Sequence, residues 1–331
     1  MKSVPHRKSD QGRVVAICGG VGGAKLALGL SRAVGSDLTV IVNTGDDFEH
    51  LGLAISPDLD TVLYTLAGVA NKELGWGRAD ETWNFMDALR HLGGEAWFQL
   101  GDRDLALHVQ RTQQLNSGVS LTSFMQKAAR QHNIAATILP MSDDPVRTML
   151  STSRGRLAFQ RYFVEHRCAP QVNGIFFEGA EDARPSNEVL SALQAPDLRA
   201  VIICPSNPYL SIDPILAVPG MRSLIEGAKA PVIAVSPIIG GAAVKGPTTK
   251  IMAELGVPST SRSIARHYGG LLHGLIIDAD DAAEGDEIRS LVHAVPTLMK
   301  TDQDRDRLAR EALKFADQIT ADLRQKARAS M

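Results

Sequence analysis

Short, unbroken apolar runs recur along the chain, most of them rich in β-branched residues and followed by a turn: Val14–Cys18, Leu38–Thr44, Thr137–Met141, Ala200–Cys204, Val232–Ser236 and Leu271–Asp278. A strand wet on one face alternates apolar with polar residues, whereas a run without alternation is covered on both faces, as in a parallel sheet. Between the runs lie stretches of helical periodicity, the first of them Ala24–Val34. This alternation predicts an α/β fold, Rossmann-like and doubly wound, with a mainly parallel sheet. In such a sheet ligands bind beyond the C-terminal ends of the strands, so the loop after each run is where chemistry is expected.

Two segments break the rhythm. Asn71–His91, together with Gln113–His132, reads as mostly helical, and Val146–Phe177 reads as a β-hairpin turning at Ser153-Arg154-Gly155 with a further strand behind it. Both are taken as insertions, an inserted cap region beside the main sheet. The organisation is then a disordered polar tail (1–12), a nucleotide-binding core begun over 13–145 with a helical insertion at about 71–132, a hairpin cap (146–180), the rest of the core (181–300) and a C-terminal helix (301–331). Leu308, Leu313, Phe315, Ile319 and Leu323 give that last helix an apolar side, which is expected to pack on the core.

Composition removes several classes of function. With 35 Lys+Arg against 37 Asp+Glu in 331 residues, the chain is not a nucleic-acid protein that works by neutralising phosphates. No apolar stretch approaches the roughly 18 residues needed to span a bilayer. The three cysteines, Cys18, Cys168 and Cys204, form no CxxC pair, and the histidines show no HxxxH spacing. A soluble, cytoplasmic protein without disulfides, zinc or a membrane partner is expected. Cys18 and Cys204 end apolar runs and read as small buried hydrophobes.

The turns carry the candidate chemistry. CGGVGGAK, Cys18–Lys25, places Gly20, Gly22, Gly23 and Lys25 where a strand meets a helix N-terminus, which suits a phosphate cradle. It is not GxGxxG, because Lys25 stands at the third glycine, and it lacks the ending of a Walker A loop. After the second run come NTGDDFEH, Asn43–His50, and SPDLD, Ser56–Asp60. Asp46, Asp47, Glu49, Asp58 and Asp60 fall within 15 positions. Like charges at that density cost energy unless a cation or donors offset them, and hard oxygens suit Mg²⁺ that bridges phosphates. Ser56 or Asp58 could instead cap the helix near Leu59, and His50 borders the loop.

Further on, LGDRD (Leu100–Asp104) offers Arg103 to an anion while Asp102 or Asp104 caps the next helix. His108 on that helix reads as a surface or packing residue. LPMSDDPVRT makes a rigid acidic loop of Ser142, Asp143 and Asp144 before Pro145. CPSNPYLSIDP brings Ser206, Asn207 and Ser211 after a strand, short groups suited to a base or sugar. SPIIGGAAVKGPTTK adds a second glycine turn with Lys245 and Gly246 ahead of a helix started by Pro247. No GxSxG elbow is present, so nucleophilic hydrolase chemistry has no support. Residue chemistry alone therefore gives an α/β protein handling a phosphorylated, nucleotide-like ligand with Mg²⁺.

Taken in order, GGVGGAKLALGL, VNTGDD, SPDLDTVLYTLAG, LGDRDLALH, LPMSDDPVRT, SNPYLSIDPILAVPGMR and VSPIIGGAAVKGP resemble the 2-phospho-L-lactate transferase family of coenzyme F-420 biosynthesis, over about Val14 to Asp278. The resemblance implies a Rossmann-like homodimer with Mg²⁺. It also implies a reaction in which a guanosine diphosphate bearing a three-carbon acid is attacked by the terminal ribityl hydroxyl of the deazaflavin Fo and GMP leaves. On this mapping Asp47 and Asp60 are catalytic, and Asp46, Asp47 and Asp58 hold the metal. Asp60 contacts Fo, and Gln99, beside LGDRD, is a further candidate for that contact. Gly20, Gly22, Gly23 and Lys25 face the diphosphate, Ser206, Asn207, Ser211, Lys245 and Gly246 hold the guanosine and its phosphates, and Asn43, Asp102 and Arg103 complete the ligand site. The first turn and Gln99 depart from the usual pattern, which leaves the acid open among phospholactyl, enolpyruvyl-phosphate and phosphoglyceryl groups. The competing class is a regulator of the gluconeogenesis-factor type that binds a nucleotide sugar without turnover and needs no Fo pocket. An NAD-dependent dehydrogenase is disfavoured by the spacing of the first turn.

Overall fold

The computed structural model describes residues 12–71, 76–244 and 246–329; nearly all of the expected tail, and Lys245, lie outside the described residues. Seven strands make the main sheet: β1 (Arg13–Cys18), β2 (Leu38–Val42), β3 (Thr137–Pro140), β4 (Leu198–Ile203), β5 (Val232–Val235), β6 (Gly274–Ile277) and β7 (Leu291–Ala294). Every neighbouring pair is parallel, in the spatial order 3-2-1-4-5-6-7. The chain winds outward from β1 to β3, then returns to the other side of β1 and winds to β7. Its direction reverses between β1 and β4, and at such a reversal a crevice opens beyond the strand ends.

Four helices matter most for the site: α1 (Val21–Val34), α2 (Pro57–Leu66), α3 (Asp102–Asn116) and α4 (Asp302–Ala329). Strand β1 explains why the apolar runs are unbroken. Val14, Ala16 and Cys18 enter a core shared with α1, α2 and α4, while Val15 and Ile17 enter the opposite core with the helices Asn187–Leu193 and Ser261–Tyr268. With both faces covered, no position of the strand needs to be polar. No helix among the described residues is long and apolar enough to cross a membrane.

Several elements differ from the sequence pattern for identifiable reasons. Helix α1 starts at Val21, not Ala24, because packing overrides the poor helix propensity of Gly22 and Gly23. Among the described residues of Asn71–His91 only Asn84–His91 is helical, since the chain before it turns at Gly77 and Asp80, both at positive φ. Gln113–His132 is the end of α3 and a separate helix, Leu121–Gln131, parted at Gly118. The half-exposed edge strand β7 (LVHA) lacks the apolar run that marks the others. The hairpin Arg147–Thr152/Gly155–Ala158 is present, and Val172–Glu178 pairs with its first strand to give a three-stranded antiparallel sheet. The SPIIGGAAV turn forms a small hairpin, Ile238–Ile239 with Ala242–Ala243.

Helix α4 packs on the core as expected, although Leu323 is exposed and the buried stripe ends at Ile319. Arg32 on α1 pairs with Asp302 and Asp306 on α4, at 3.0 and 3.3 Å. Gly29 makes the close approach possible, because a Cβ there would meet the Arg305 carbonyl. We therefore expect Gly29→Val to destabilise the protein by about 1–3 kcal/mol, seen as a lower urea midpoint with unchanged m-value. An unchanged midpoint would show that α1 and α4 can separate at no cost.

Candidate active site

The turn after β1 and the loop after β4 close on one another at the crevice. The Gly19 N–H donates to the buried Ser206 Oγ at 3.0 Å. A Cβ at Gly22 would meet the Pro205 carbonyl oxygen, and one at Gly20 would lie 2.5 Å from Asp58 Oδ1. The glycines are thus required by close approach, with the SNP loop on one side and the SPDLD carboxylate on the other. Asn207 Oδ1 accepts from the Tyr209 and Leu210 N–H groups, which caps the wide helical turn Pro208–Ile212, and its Nδ2 is buried with no partner among the described residues. Ser211 lies against Gly19.

Asn43, fully buried at the end of β2, gathers the acids. Its Nδ2 donates to Asp46 Oδ1 (2.9 Å) and Asp58 Oδ2 (3.0 Å), and more loosely to the Leu210 carbonyl (3.4 Å). Its Oδ1 accepts from the Gly45 N–H at 2.8 Å. One amide therefore ties together the ends of β2, α2 and the SNP loop. Ser56 does not cap α2, and neither does Asp58; the Ser56 hydroxyl instead donates to Asp47 Oδ2 at 2.8 Å. Asp47 Oδ1 is buried with no hydrogen-bond partner among the described residues.

Burial pushes the carboxyls of this group upward. Asp46 rises well above its ordinary range through desolvation and then repulsion by Asp58, against the Asn43 bond. Asp58 rises to about 6, again by burial. Asp47 rises from 3.8 to about 7 by burial, opposed by the Arg147 and Arg111 charges and the Ser56 bond. Three buried carboxylates that resist ionisation form an all-oxygen donor set. Asp46 and Asp58, which share the Asn43 amide, offer hard oxygens of the kind a divalent cation takes, but the oxygens of Asp46, Asp47 and Asp58 do not all come within 4.8 Å of one another, as those of Asp60 and Asp104 do with a ring nitrogen of His108.

Asp60, two residues further along α2, is treated differently. Arg111 of α3, with no exposed surface, grips both of its oxygens, through Nη2 to Oδ1 and through Nη1 to Oδ2 at 3.1 Å. His108 Nδ1 lies 3.7 Å from Asp60 Oδ2, and its Nε2 lies 3.2 Å from Asp104 Oδ2. The Tyr64 hydroxyl donates to Asp104. Asp60, Asp104 and His108 come close enough to suggest a metal site, but Arg111 and Tyr64 already engage their oxygens. Helix α3 is inverted: it buries His108 and Arg111 while leaving Val109 half-exposed.

Other predicted residues lie elsewhere or are engaged. Lys25 Nζ donates to the Met299 carbonyl (3.1 Å). Gln99 accepts from Arg90 and donates to the Ala96 carbonyl. Asp102 accepts from Thr82, Asn84 and Phe85, so it caps the Asn84–His91 helix, and these bonds lower its carboxyl to about 2. Arg103 is exposed, as are Gly246 and Glu49. His50 turns away from the acids into a ring cluster with Phe48, Trp97 and Phe98. Asp143 and Asp144 accept from the Thr122 and Arg184 N–H groups, a structural role. Arg111, Tyr64 and Arg147 are the residues that sequence reasoning misses, while Ser56, read as a possible cap, and His108, read as a surface or packing residue, take on polar partners instead. The spacing of Asp104, His108 and Arg111, at i, i+4 and i+7, was the available signal.

Residues 14–320 match the model of the family described as 2-phospho-L-lactate transferase CofD. A protein of Streptomyces griseus subsp. griseus named phosphoenolpyruvate transferase is 43% identical over 320 residues, covering 93% of this chain and 100% of its own. One of the same name from Mycobacterium marinum is 37% identical over 326 residues, covering 92% and 98%. The crystal structure of a UPF0052-family protein from Bacillus halodurans superposes with a TM-score of 0.61 over 92% of this chain and 99% of its own, at 16% identity, a likeness of fold alone.

The raised carboxyls have a consequence for stability. Asp47 holds its proton more tightly folded, at about 7, than at its ordinary value of 3.8. Its contribution therefore favours the fold at low pH and is lost as pH rises through that window. In chelator-treated protein, Asp47→Asn is expected to raise Tm by a few degrees at pH 8 and by less at pH 5. Equal shifts at both pH values in scanning calorimetry would contradict the burial argument.

Proposed function

Because the chain belongs to the 2-phospho-L-lactate transferase CofD family, and is a transferase of coenzyme F-420 biosynthesis, we propose that it carries an enolpyruvyl-phosphate group from a guanosine-diphosphate-linked donor to the terminal ribityl hydroxyl of Fo, releasing GMP. The choice of acid rests on the two phosphoenolpyruvate transferases to which the chain is similar. The observation that carries the reaction is the meeting of three buried carboxylates with a glycine turn at the sheet's reversal point.

The donor set fits Mg²⁺. Asp46 and Asp58 are joined only through the Asn43 amide and repel one another, and a diphosphate cradled at Gly20, Gly22 and Gly23 would add negative charge beside Asp58. Mg²⁺ that also binds phosphate needs only one or two protein carboxylates, so Asp46 and Asp58 would hold it. When bound, it offsets the charge of the diphosphate.

The ribityl oxygen attacks the outer phosphorus, the bond from that phosphorus to the bridging oxygen breaks, and GMP departs with the electron pair. The hydroxyl proton goes to Asp47, whose Oδ1 has no internal partner and whose carboxyl near 7 suits proton uptake at neutral pH. Asp60, fixed by Arg111, accepts a hydrogen bond from the ribityl chain. Asn207 Nδ2 offers a buried donor to the guanosine, and Ser206 and Ser211 lie beside it against Gly19.

Purified protein given Fo, Mg²⁺ and guanosine-diphosphate-linked donors of the three acids is expected to consume the enolpyruvyl donor fastest, yielding GMP and an Fo phosphodiester by mass spectrometry. Asp47→Asn should lower turnover by about 10²–10⁴ with donor KM little changed. Fastest use of a phospholactyl donor would overturn the acid assignment. No product from any donor would instead indicate a nucleotide-binding protein without turnover.

A further inference from the structure

We propose that Arg111 is a positioning residue that acts through Asp60, with His108, Asp104 and Tyr64 as the brace that fixes it; this rests on the transferase reading above. The five side chains come from two helices at helical spacing. Asp60 and Tyr64 are i, i+4 on α2, while Asp104, His108 and Arg111 are i, i+4, i+7 on α3, so each set lies on one face. The two faces meet and form a continuous chain of contacts from the acid to the phenol.

Both terminal nitrogens of Arg111 are held, while its Nε is buried with no hydrogen-bond partner among the described residues. Nη1 donates to Asp60 Oδ2 (3.1 Å) and the Ala54 carbonyl (3.2 Å) and lies 3.4 Å from His108 Nδ1; its Cζ sits 5.5 Å from the centre of the Phe124 ring. A ring nitrogen facing a guanidinium N–H must accept, which puts the His108 proton on Nε2, toward Asp104. The Tyr64 hydroxyl donates to the other Asp104 oxygen. A planar fork presented to both carboxylate oxygens fixes the carboxylate's plane as well as its place, which an ammonium cannot do.

Packing alone does not call for this arrangement. Buried ion pairs are often no more stabilising than well-packed apolar residues of the same volume, and α3 has an apolar residue, Val109, which it leaves half-exposed. Asp46, Asp47 and Asp58 have no such guanidinium fork. A rigid, internally neutralised Asp60 beside three acids that await a cation keeps one carboxylate in fixed register with the acceptor alcohol, where small misplacements cost rate.

Steady-state kinetics of Arg111→Lys, Asp60→Asn and the double variant test this. Arg111→Lys is expected to lower kcat at least about tenfold with donor KM within about twofold, and to change kcat by less than about twofold when Asp60 is already Asn. Tyr64→Phe removes only the hydroxyl on Asp104; it should give a smaller fall in kcat that likewise disappears in the Asp60→Asn background, and it decides the matter if Arg111→Lys does not fold. Equal losses in both backgrounds, an effect on donor KM in place of kcat, or unchanged kcat would overturn the proposal. A wild-type enzyme that turns over separates these outcomes from failure of the transferase reading; one that releases no GMP overturns that reading and this proposal with it.

Discussion

Taking a carboxylate out of water costs several kcal/mol unless positive charge or strong donors accompany it, and this fold removes four, Asp46, Asp47, Asp58 and Asp60, within one stretch of 15 residues after β2. The four are answered unequally. Asp60 receives a guanidinium. Asp46 and Asp58 share a single amide, and Asp47 has a hydroxyl and the half-buried Arg147 charge. The remaining demand for positive charge is what the surrounding architecture sustains, and it is the physical basis for expecting a cation there.

Sustaining it requires the backbone to be held from several directions. β1 and β2 end side by side, with the Asn43 N–H bonded to the Cys18 carbonyl at 3.0 Å, and the loop after β4 is fastened to the β1 turn through Ser206. Glycines in that turn admit Asp58 and the Pro205 carbonyl, so any side chain there would push the acids and the SNP loop apart. Packing of α1 on α4, together with the apolar cores on the two faces of the sheet, supplies the stability that offsets this costly end of the molecule, in keeping with sites that trade stability for function.

Much of the fold was legible because parallel strands covered on both faces leave a plain mark: Val14–Cys18 and Val232–Val235 contain no polar residue. The edge strand β7 leaves no such mark, because one side of it is wet. Among the acids, the gathering at NTGDD and SPDLD was visible as charge density. What was hidden is the partner set. His108 and Arg111 look like the polar face of a surface helix, and only the tertiary packing of α3 on α2 turns that face inward. Asn43 likewise reads as a turn residue, and its side-chain bonds to Asp58 and the Leu210 carbonyl exist only once β2, α2 and the loop after β4 have met. Asp102 and Gln99 illustrate the converse, polar groups beside a conspicuous motif that are occupied by local caps and contacts.

The proposal that Asp46 and Asp58 hold a cation beside Asp47 is most directly tested by calorimetric titration of metal-free protein with Mg²⁺ at pH 6.5 and pH 8, each in two buffers of different ionisation enthalpy. With Asp58 near 6 and Asp47 near 7 before the ion arrives, binding at pH 6.5 should release protons, and the release should shrink at pH 8. Absence of Mg²⁺ binding, or binding with no proton release at pH 6.5, would contradict the account.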